Sequence, residues 1–226
     1  MEFEDIIHEF EFLSNEENIK GKKRFGINFN KSYGLRMLDI RKIAKKVGKN
    51  HEIAIKLWDY PYHESRILAP MVEEPDKLTN EQLDKWVSEF DSWDVVDQAC
   101  INLFRNSDLA ISKIPIWAEN EKEYVKRTAF SLIAVLAVHN KKEDDEYFRK
   151  FYPLIIDASC DNRNFVKKAV NWAIRQIGKR NINLNKEAIE LSYEILKKDC
   201  KASRWIAKNA INELESDKIQ KKLLNK

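Results

Sequence analysis

Apolar positions recur along this chain at spacings of three and four residues. Between residues 163 and 178, Val166, Ala169, Val170, Ala173, Ile174 and Ile177 fall at i, i+3, i+4, i+7, i+8 and i+11. That is one stripe of a helix turned toward a core. Ile206, Ala207, Ala210, Ile211 and Leu214 form a second stripe over 201–214. Val125, Ala129, Leu132, Ile133 and Leu136 form a third over 122–138, and Val96, Ala99, Cys100 and Leu103 a fourth. The pattern predicts about a dozen helices of roughly 10–16 residues, a usual length for globular proteins. Breaks are expected near Ser14-Asn15, Gly26 to Gly34, Gly48 to Asn50, Tyr60-Pro61, Glu74-Pro75, Phe90-Asp91 and Asn106-Ser107. Further breaks are expected near Asn120, Asn140-Lys141, Asp157 to Asn162 and Asn181 to Asn185.

The helices repeat. The run from Tyr124 to Ala129 matches the run from Phe165 to Val170 at a spacing of 41 residues. Ser203 to Ala207 follows about 37 residues later, and Glu64 to Ala69 is an earlier relative. Periods near 40 residues, each holding a helix pair, are the mark of HEAT or armadillo stacking. The expected fold is all-α, a right-handed α-solenoid of HEAT-like helix pairs forming one domain over residues 1–226, with its curved inner face as the binding surface.

Composition supports this and removes alternatives. Five Gly and five Pro in 226 residues cannot supply the turns of a β-sandwich or barrel. At 43% hydrophobic residues the chain is too apolar for a disordered polymer. No apolar run approaches the roughly 18 residues of a membrane span, and the start, acidic and amphipathic, lacks the form of a secretory signal. A cytoplasmic protein with no membrane contact is expected. Cys100, Cys160 and Cys200 form no CxxC pair and read as buried small residues; His8, His51, His63 and His139 show no ligand spacing. Neither a metal site nor a Gly-rich phosphate loop is visible, so no cofactor is expected. Net charge is only +3, but it is segregated: residues 20–50 carry +10, residues 51–100 carry −8 and residues 161–210 carry +7. Two separate basic regions suit a polyanionic partner.

The faces opposite the apolar stripes carry the candidate chemistry. Lys168, Trp172, Arg175 and Lys179 share one, and Lys201, Trp205 and Lys208 repeat the order on another. Over 122–138 the outward face is read as Arg127, Ser131 and Ala134. Cations interleaved with large aromatics suit nucleic acid, through phosphate contacts and stacking. The alternative is that each Trp packs on a neighbouring helix or under a cation. In the acidic middle, Asp91 or Ser92 is placed to cap a helix on which Trp93 and Asp97 are i, i+4 neighbours at the edge of the stripe. A solvated or ion-paired Asp97 is the plainer reading.

These residues resemble the AlkD-type DNA glycosylases, the HEAT-like repeat family of alkylpurine excision enzymes. The matching stretches are Tyr33-Gly34-Leu35-Arg36 with Arg41, Leu57-Trp58-Asp59, Ser92-Trp93-Asp94 with Val96-Asp97, Val125-Lys126-Arg127, and Phe165 to Ala169 with Trp172 and Arg175. The likeness runs from about residue 3 to residue 215. It implies a concave basic face holding duplex DNA, with Asp97 as the catalytic carboxylate and Trp93 and Trp172 flanking the lesion. Arg127 matches a backbone-contacting arginine. Lys126, Lys168, Arg175, Lys179, Arg41, Lys201, Trp205 and Lys208 complete the DNA-binding candidates. The resembled family removes cationic bases such as N3-methyladenine and N7-methylguanine, and does so without fully extruding the base. Three departures stand out. Gly26 with Asn28 and Asn30 is expected to end the second helix early; Phe25 stands where a hydroxyl-bearing aromatic is expected; and Met37-Leu38 replaces a Thr-Pro helix start.

The implied activity is hydrolysis of the N-glycosidic bond of cationic alkylpurines by a monomer, nucleoid-associated when bound to DNA. Two alternatives stay open: a non-catalytic relative that binds damaged or unusual DNA, and a helical-repeat scaffold for a protein partner, since Trp and Arg also anchor protein interfaces.

Overall fold

The computed structural model describes residues 1–225, with Lys23 described through its backbone alone. The chain divides into two compact units, Met1–Ile111 and Ser112–Lys226. The first contains α1 (Phe3–Phe12), α2 (Glu16–Arg24), α3 (Met37–Val47), α4 (His51–Asp59), α5 (His63–Val72), α6 (Asn80–Ser88) and α7 (Trp93–Asn102), and ends in α8 (Asp108–Ser112). The second contains α9 (Ile114–Glu119), α10 (Glu123–His139), α11 (Asp145–Arg149), α12 (Tyr152–Ala158), α13 (Asn164–Gly178), α14 (Ile182–Leu196), α15 (Lys201–Leu214) and α16 (Asp217–Leu224). The described residues include no strand. The fold is an all-α helical-repeat solenoid, as the sequence pattern predicts.

Central helices organise each unit. In the first, α5 packs against α3, α4 and α7. Trp58 and Trp86 stack at 4.4 Å in its core, and Phe10, Leu57, Ile67 and Leu68 are likewise fully buried. In the second, α13 packs against α10, α12, α14 and α15. Every residue of the four apolar stripes is buried. Each large side chain so covered contributes about 1.5–3 kcal/mol.

The repeat is visible in contacts. Tyr124 and Phe165, which are 41 residues apart, place their rings 5.6 Å apart, and Val125 and Val166 are both buried. Asn171 of α13 donates to the Ile206 carbonyl of α15 at 3.0 Å.

Three expectations change. First, α8, α9 and α11 are only 5, 6 and 5 residues long, shorter than periodicity predicts. Pro115 and Pro153 lie in the first turns of α9 and α12. Proline is favoured in a first turn, where its missing N–H costs nothing, and disfavoured as the continuation of a preceding helix, so the chain breaks just before each. Second, Arg127, Ser131 and Ala134 do not face outward: all three are buried. α10 lies between α9 and α13 and is covered on most sides. Ser131 and Ala134 are small because neighbours approach there. Third, Cys160 and Cys200 are not isolated. They form a disulfide with Cα atoms 5.7 Å apart, while Cys100 alone is a buried free thiol. Their separation of 40 residues is one repeat, which brings equivalent positions of successive helix pairs together.

The non-reduced chain, unfolded in denaturant, should therefore titrate one thiol rather than three. Reduction should lower stability by about 4 kcal/mol on the chain-entropy account for a loop of this size. Thiol counting and denaturant melts with and without reductant measure both.

Candidate active site and nucleic-acid interface

The tryptophan–aspartate element sits at the start of α7. Ser92 is the N-cap in extended backbone, fully buried, but its hydroxyl does not cap the helix N–H groups. It donates instead to Asp94 Oδ1 at 2.5 Å, and that oxygen also accepts the Val95 N–H at 3.1 Å. The other oxygen, Oδ2, pairs with His63 Nε2 at 2.8 Å. Burial opposes ionisation of Asp94, yet the bonds from His63 and Ser92 and the nearby Lys22 charge hold its carboxyl below the usual range. The first turn of α7 is thereby pinned to the first turn of α5. Trp93 projects from this turn half-buried, and its indole N–H donates to the Phe25 carbonyl at 3.2 Å. Asp97 follows one helical turn later, also half-buried.

Behind the element lies a carboxylate cradle. Glu64 is fully buried and accepts the backbone N–H groups of Tyr33, Gly34 and Leu35 at 2.9, 2.9 and 3.2 Å. It also accepts the Ser32 hydroxyl at 2.7 Å and the Lys22 ammonium. Burial opposes its charge, but the Lys22 charge and these donors together hold its pKa below the ordinary glutamate value. Gly34 is required here. Its φ is +76°, and a Cβ would lie 2.0 Å from the Asn15 carbonyl oxygen. The cradle fixes the strap from Ser32 to Leu35 against α5 and, through Lys22, fixes α2. Gly26, at φ +69°, follows the end of α2 at Arg24, the early termination expected from the sequence.

The second unit presents the basic–aromatic faces. On α13, Lys168 is exposed, and Trp172, Arg175 and Lys179 are half-buried. With the Gln176 amide turned so that its oxygen faces donors, that oxygen accepts the Trp172 indole N–H at 3.0 Å. Arg175 and Lys179 both ion-pair with Glu213 of α15, Lys179 at 2.7 Å. Burial opposes the Glu213 charge, and these two partners hold its pKa down. On α15, Lys201 and Lys208 are exposed with Trp205, whose ring lies 5.0 Å from Lys167 Nζ. Because α13 and α15 pack together, both tryptophans and their cations belong to one layer of this unit.

The remaining candidates separate from this layer. Lys126 is half-buried, 3.6 Å from Asp161, which Arg163 also clamps at 2.5 Å. Arg127, 5% exposed, donates to the Phe165 carbonyl at 2.8 Å and ties α10 to the start of α13. Arg41 is exposed on α3 in the first unit. The sequence reading missed Glu64, His63 and Asp94 as organisers. The detectable signal was positional: His63 and Asp94 lie in the first turns of α5 and α7, 31 residues apart.

These features define a helical-repeat protein with Trp93 and Asp97 one turn apart in one unit and, in the other, two packed helices carrying exposed lysines, half-buried Trp172 and exposed Trp205. The model of the DNA alkylation repair enzyme family matches residues 6–214, and the chain belongs to that family. An uncharacterised protein of Listeria innocua, Lin0241, is 25% identical over 207 residues, covering 84% of this chain and 92% of the relative. An uncharacterised Listeria monocytogenes protein, Lmo0209, is 27% identical over 134 residues, 58% of this chain and 60% of the relative. A solved structure described as a new family related to the HEAT-like repeat DNA glycosylases, with affinity for branched DNA structures, superposes with a TM-score of 0.76. It is 19% identical and covers 94% of this chain and 95% of its own. None of the described helices is long and apolar enough to cross a membrane.

Glu64→Gln should cost about 3–5 kcal/mol at neutral pH, because it leaves Lys22 without its buried counter-charge. A lowered folded-state pKa means the wild-type contribution is full above the unfolded value and disappears as pH falls through the folded one. The stability gap between wild type and variant, read from denaturant melts, should therefore narrow on acidification. Arg127→Ala should cost about 1.5–3 kcal/mol, the range for a charged hydrogen bond. Lys168→Ala, at an exposed site, should change stability by less than about 0.5 kcal/mol in the same melts.

Proposed function

We propose that this protein is a DNA-repair glycosylase that hydrolyses the N-glycosidic bond of cationic alkylpurines in duplex DNA. The observation that carries this reading is the placement of Trp93 and Asp97 one turn apart on a helix start held rigid by Asp94, Ser92 and His63. An N3- or N7-alkylated purine is already a good leaving group. As the C1′–N bond stretches, its electron pair goes to the base and neutralises it, while positive charge grows on the sugar. A fixed carboxylate stabilises that charge, and Asp97 can orient the water whose oxygen joins C1′ and accept its proton. Trp93 offers an electron-rich face to the cation. In the second unit, exposed Lys168, Lys201 and Lys208 hold phosphates around Trp172 and Trp205. Lys126, Arg175 and Lys179 reach phosphate by exchanging their acidic partners for it. Exposed Arg41 adds a phosphate contact from the first unit. No metal or cofactor enters this chemistry. We take the active form as a monomer acting in the cytoplasm.

A second reading is DNA binding without excision. It is favoured by the bond between the Trp93 indole and Phe25, which commits that side chain to the protein, and by the buried position of Arg127. The solved relative with affinity for branched DNA points the same way.

Duplex carrying N7-methylguanine or N3-methyladenine separates the two. Wild type should release free base, and Asp97→Asn should lower the rate by about 10²–10³-fold, the usual cost of removing one preorganised electrostatic group. No release by wild type, together with salt-dependent binding of branched DNA, would establish the second reading. Absence of DNA binding at low salt would overturn both.

A further inference from the structure

The Cys160–Cys200 disulfide joins the starts of the two helices that carry the basic–aromatic face of the second unit. Cys160 lies between α12 and α13, just before Asn164 opens α13. Cys200 is the N-cap of α15, immediately before the exposed Lys201. The bond therefore fixes the N-terminal ends of both helices against each other. α13 carries Lys168 and Trp172, and α15 carries Lys201, Trp205 and Lys208. Farther along, the pair is held without it. Asn171 donates to the Ile206 carbonyl near mid-helix, and Glu213 of α15 takes Arg175 and Lys179 toward the other end. Breaking the disulfide thus loosens one end of the face and leaves the rest packed.

Two features suit this bond to reversible exchange. Cys160 is exposed, so a thiolate from solvent has access to it, whereas the free thiol of Cys100 is buried. Cys200 Sγ accepts the Ser203 N–H at 3.3 Å, at the start of a 14-residue helix. A helix N-terminus favours a thiolate, and a stabilised thiolate leaves faster in exchange. With a dithiol reductant, one thiolate attacks Cys160 Sγ and the S–S electron pair leaves on Cys200 Sγ. The reductant's second thiolate then displaces Cys160, which takes up a proton, and the reductant ends as a disulfide. Hydrogen peroxide reverses the change. The Cys200 thiolate attacks a peroxide oxygen and becomes a sulfenic acid, with release of water. The Cys160 thiol displaces a second water and restores the S–S bond. Two thiols and one peroxide thus give one disulfide and two waters.

We propose that Cys160 and Cys200 form a reversible dithiol–disulfide switch that sets how tightly the α13–α15 face holds DNA, the oxidised form being the tighter binder. This rests on the cytoplasmic, DNA-binding reading above. Disulfides in a reducing compartment are usually transient or redox-sensing rather than permanent staples. In the reduced form, binding must order the start of α15 with Lys201 and its neighbours. The disulfide removes that cost beforehand, which is preorganisation.

The test measures affinity of the full-length protein for one matched duplex at one salt concentration, below the melting temperature of the reduced form. Samples are treated with dithiothreitol, or with dithiothreitol and then, after its removal, hydrogen peroxide. Thiols titrated in denaturant should number three after the first treatment and one after the second. Oxidised wild type should bind about fivefold more tightly than reduced, equivalent to about 1 kcal/mol. Cys200→Ser removes the bond and keeps a favoured N-cap side chain. This variant and Cys160→Ser should both bind as reduced wild type does and respond to neither reagent. Equal affinity of the two wild-type forms, tighter binding by the reduced form, or a response that survives in Cys200→Ser would overturn the switch while leaving DNA binding intact. A thiol count that stays at three after peroxide would overturn it as well. Failure of every form to bind would overturn the DNA reading and this inference with it.

Discussion

Every helix ends with carbonyl groups that have no partner in their own helix. In a stack of short helices those ends meet the neighbouring pair, and leaving them dry and unpaired would cost about 1–3 kcal/mol each. This protein answers with long cations from the adjacent repeat. In the second unit Arg180 donates to the carbonyls of Ala137, Asn140 and Glu143 at the end of α10, and Lys198 to that of Ile156 in α12. Two further bonds of this length lie at helix starts instead, from Arg163 to the Glu121 carbonyl before α10 and from Arg127 to that of Phe165 in the first turn of α13. The separations of 37 to 43 residues are all one repeat. In the first unit Lys49 covers the carbonyls of Met71, in the last turn of α5, and of Glu73 just after it, and Arg66 covers that of Glu89 after α6. These contacts fix the register of each pair against the next, which apolar packing alone, being non-directional, does less sharply.

The same constraint redistributes the charge. Residues 161–210 have a formal excess of +7, which suggests a broadly basic surface. Within it Arg163, Arg180 and Lys198 are committed to carbonyls, and Arg175 and Lys179 share Glu213. Exposed cations remain at Lys168, Lys186, Lys197, Lys201, Arg204 and Lys208, of which Lys168 shares α13 with Trp172, and Lys201, Arg204 and Lys208 share α15 with Trp205. A phosphate arriving near Arg175 would have to displace a carboxylate already paired, so its electrostatic gain is partly offset. On the proposed DNA-binding reading, this face is less a uniform basic groove than a set of separate exposed cations with aromatic rings between them, a surface suited to phosphate contacts rather than to reading sequence.

How much of this could be read in the chain follows from what one-dimensional periodicity contains. The core stripes of α7, α10, α13 and α15 were legible because burial repeats at the helical period. The repeat of about 40 was legible because Tyr124 and Phe165 occupy equivalent, contacting positions. The outward reading of Arg127 failed because α10 is flanked by both α9 and α13, and one helix viewed alone shows only its best stripe. The disulfide escaped because Cys160 and Cys200 lie apart in sequence by a whole repeat, a distance that looks like isolation until the period is applied to it. Asp97 and Trp93 were legible as a pair, whereas the organisers of their helix, Glu64, His63 and Asp94, were not. Their partners are backbone groups and buried side chains on other elements, which leave no pattern along the chain.

The N-terminal departures from the resembled family and the chemical element form one mechanical system. Glu64 gathers three backbone N–H groups, Ser32 and Lys22, so the strap after Gly26 is held while α2 is kept short. That arrangement brings the Phe25 carbonyl to the Trp93 indole. A longer second helix would occupy residues now used for the strap, and the Trp93 contact would have to change with it. The position of the aromatic face next to Asp97 is therefore set by the same buried carboxylate that holds the strap. The placement of the N-terminal strap and the orientation of α7 are coupled, because Glu64 and the His63–Asp94 pair both connect to the first turn of α5.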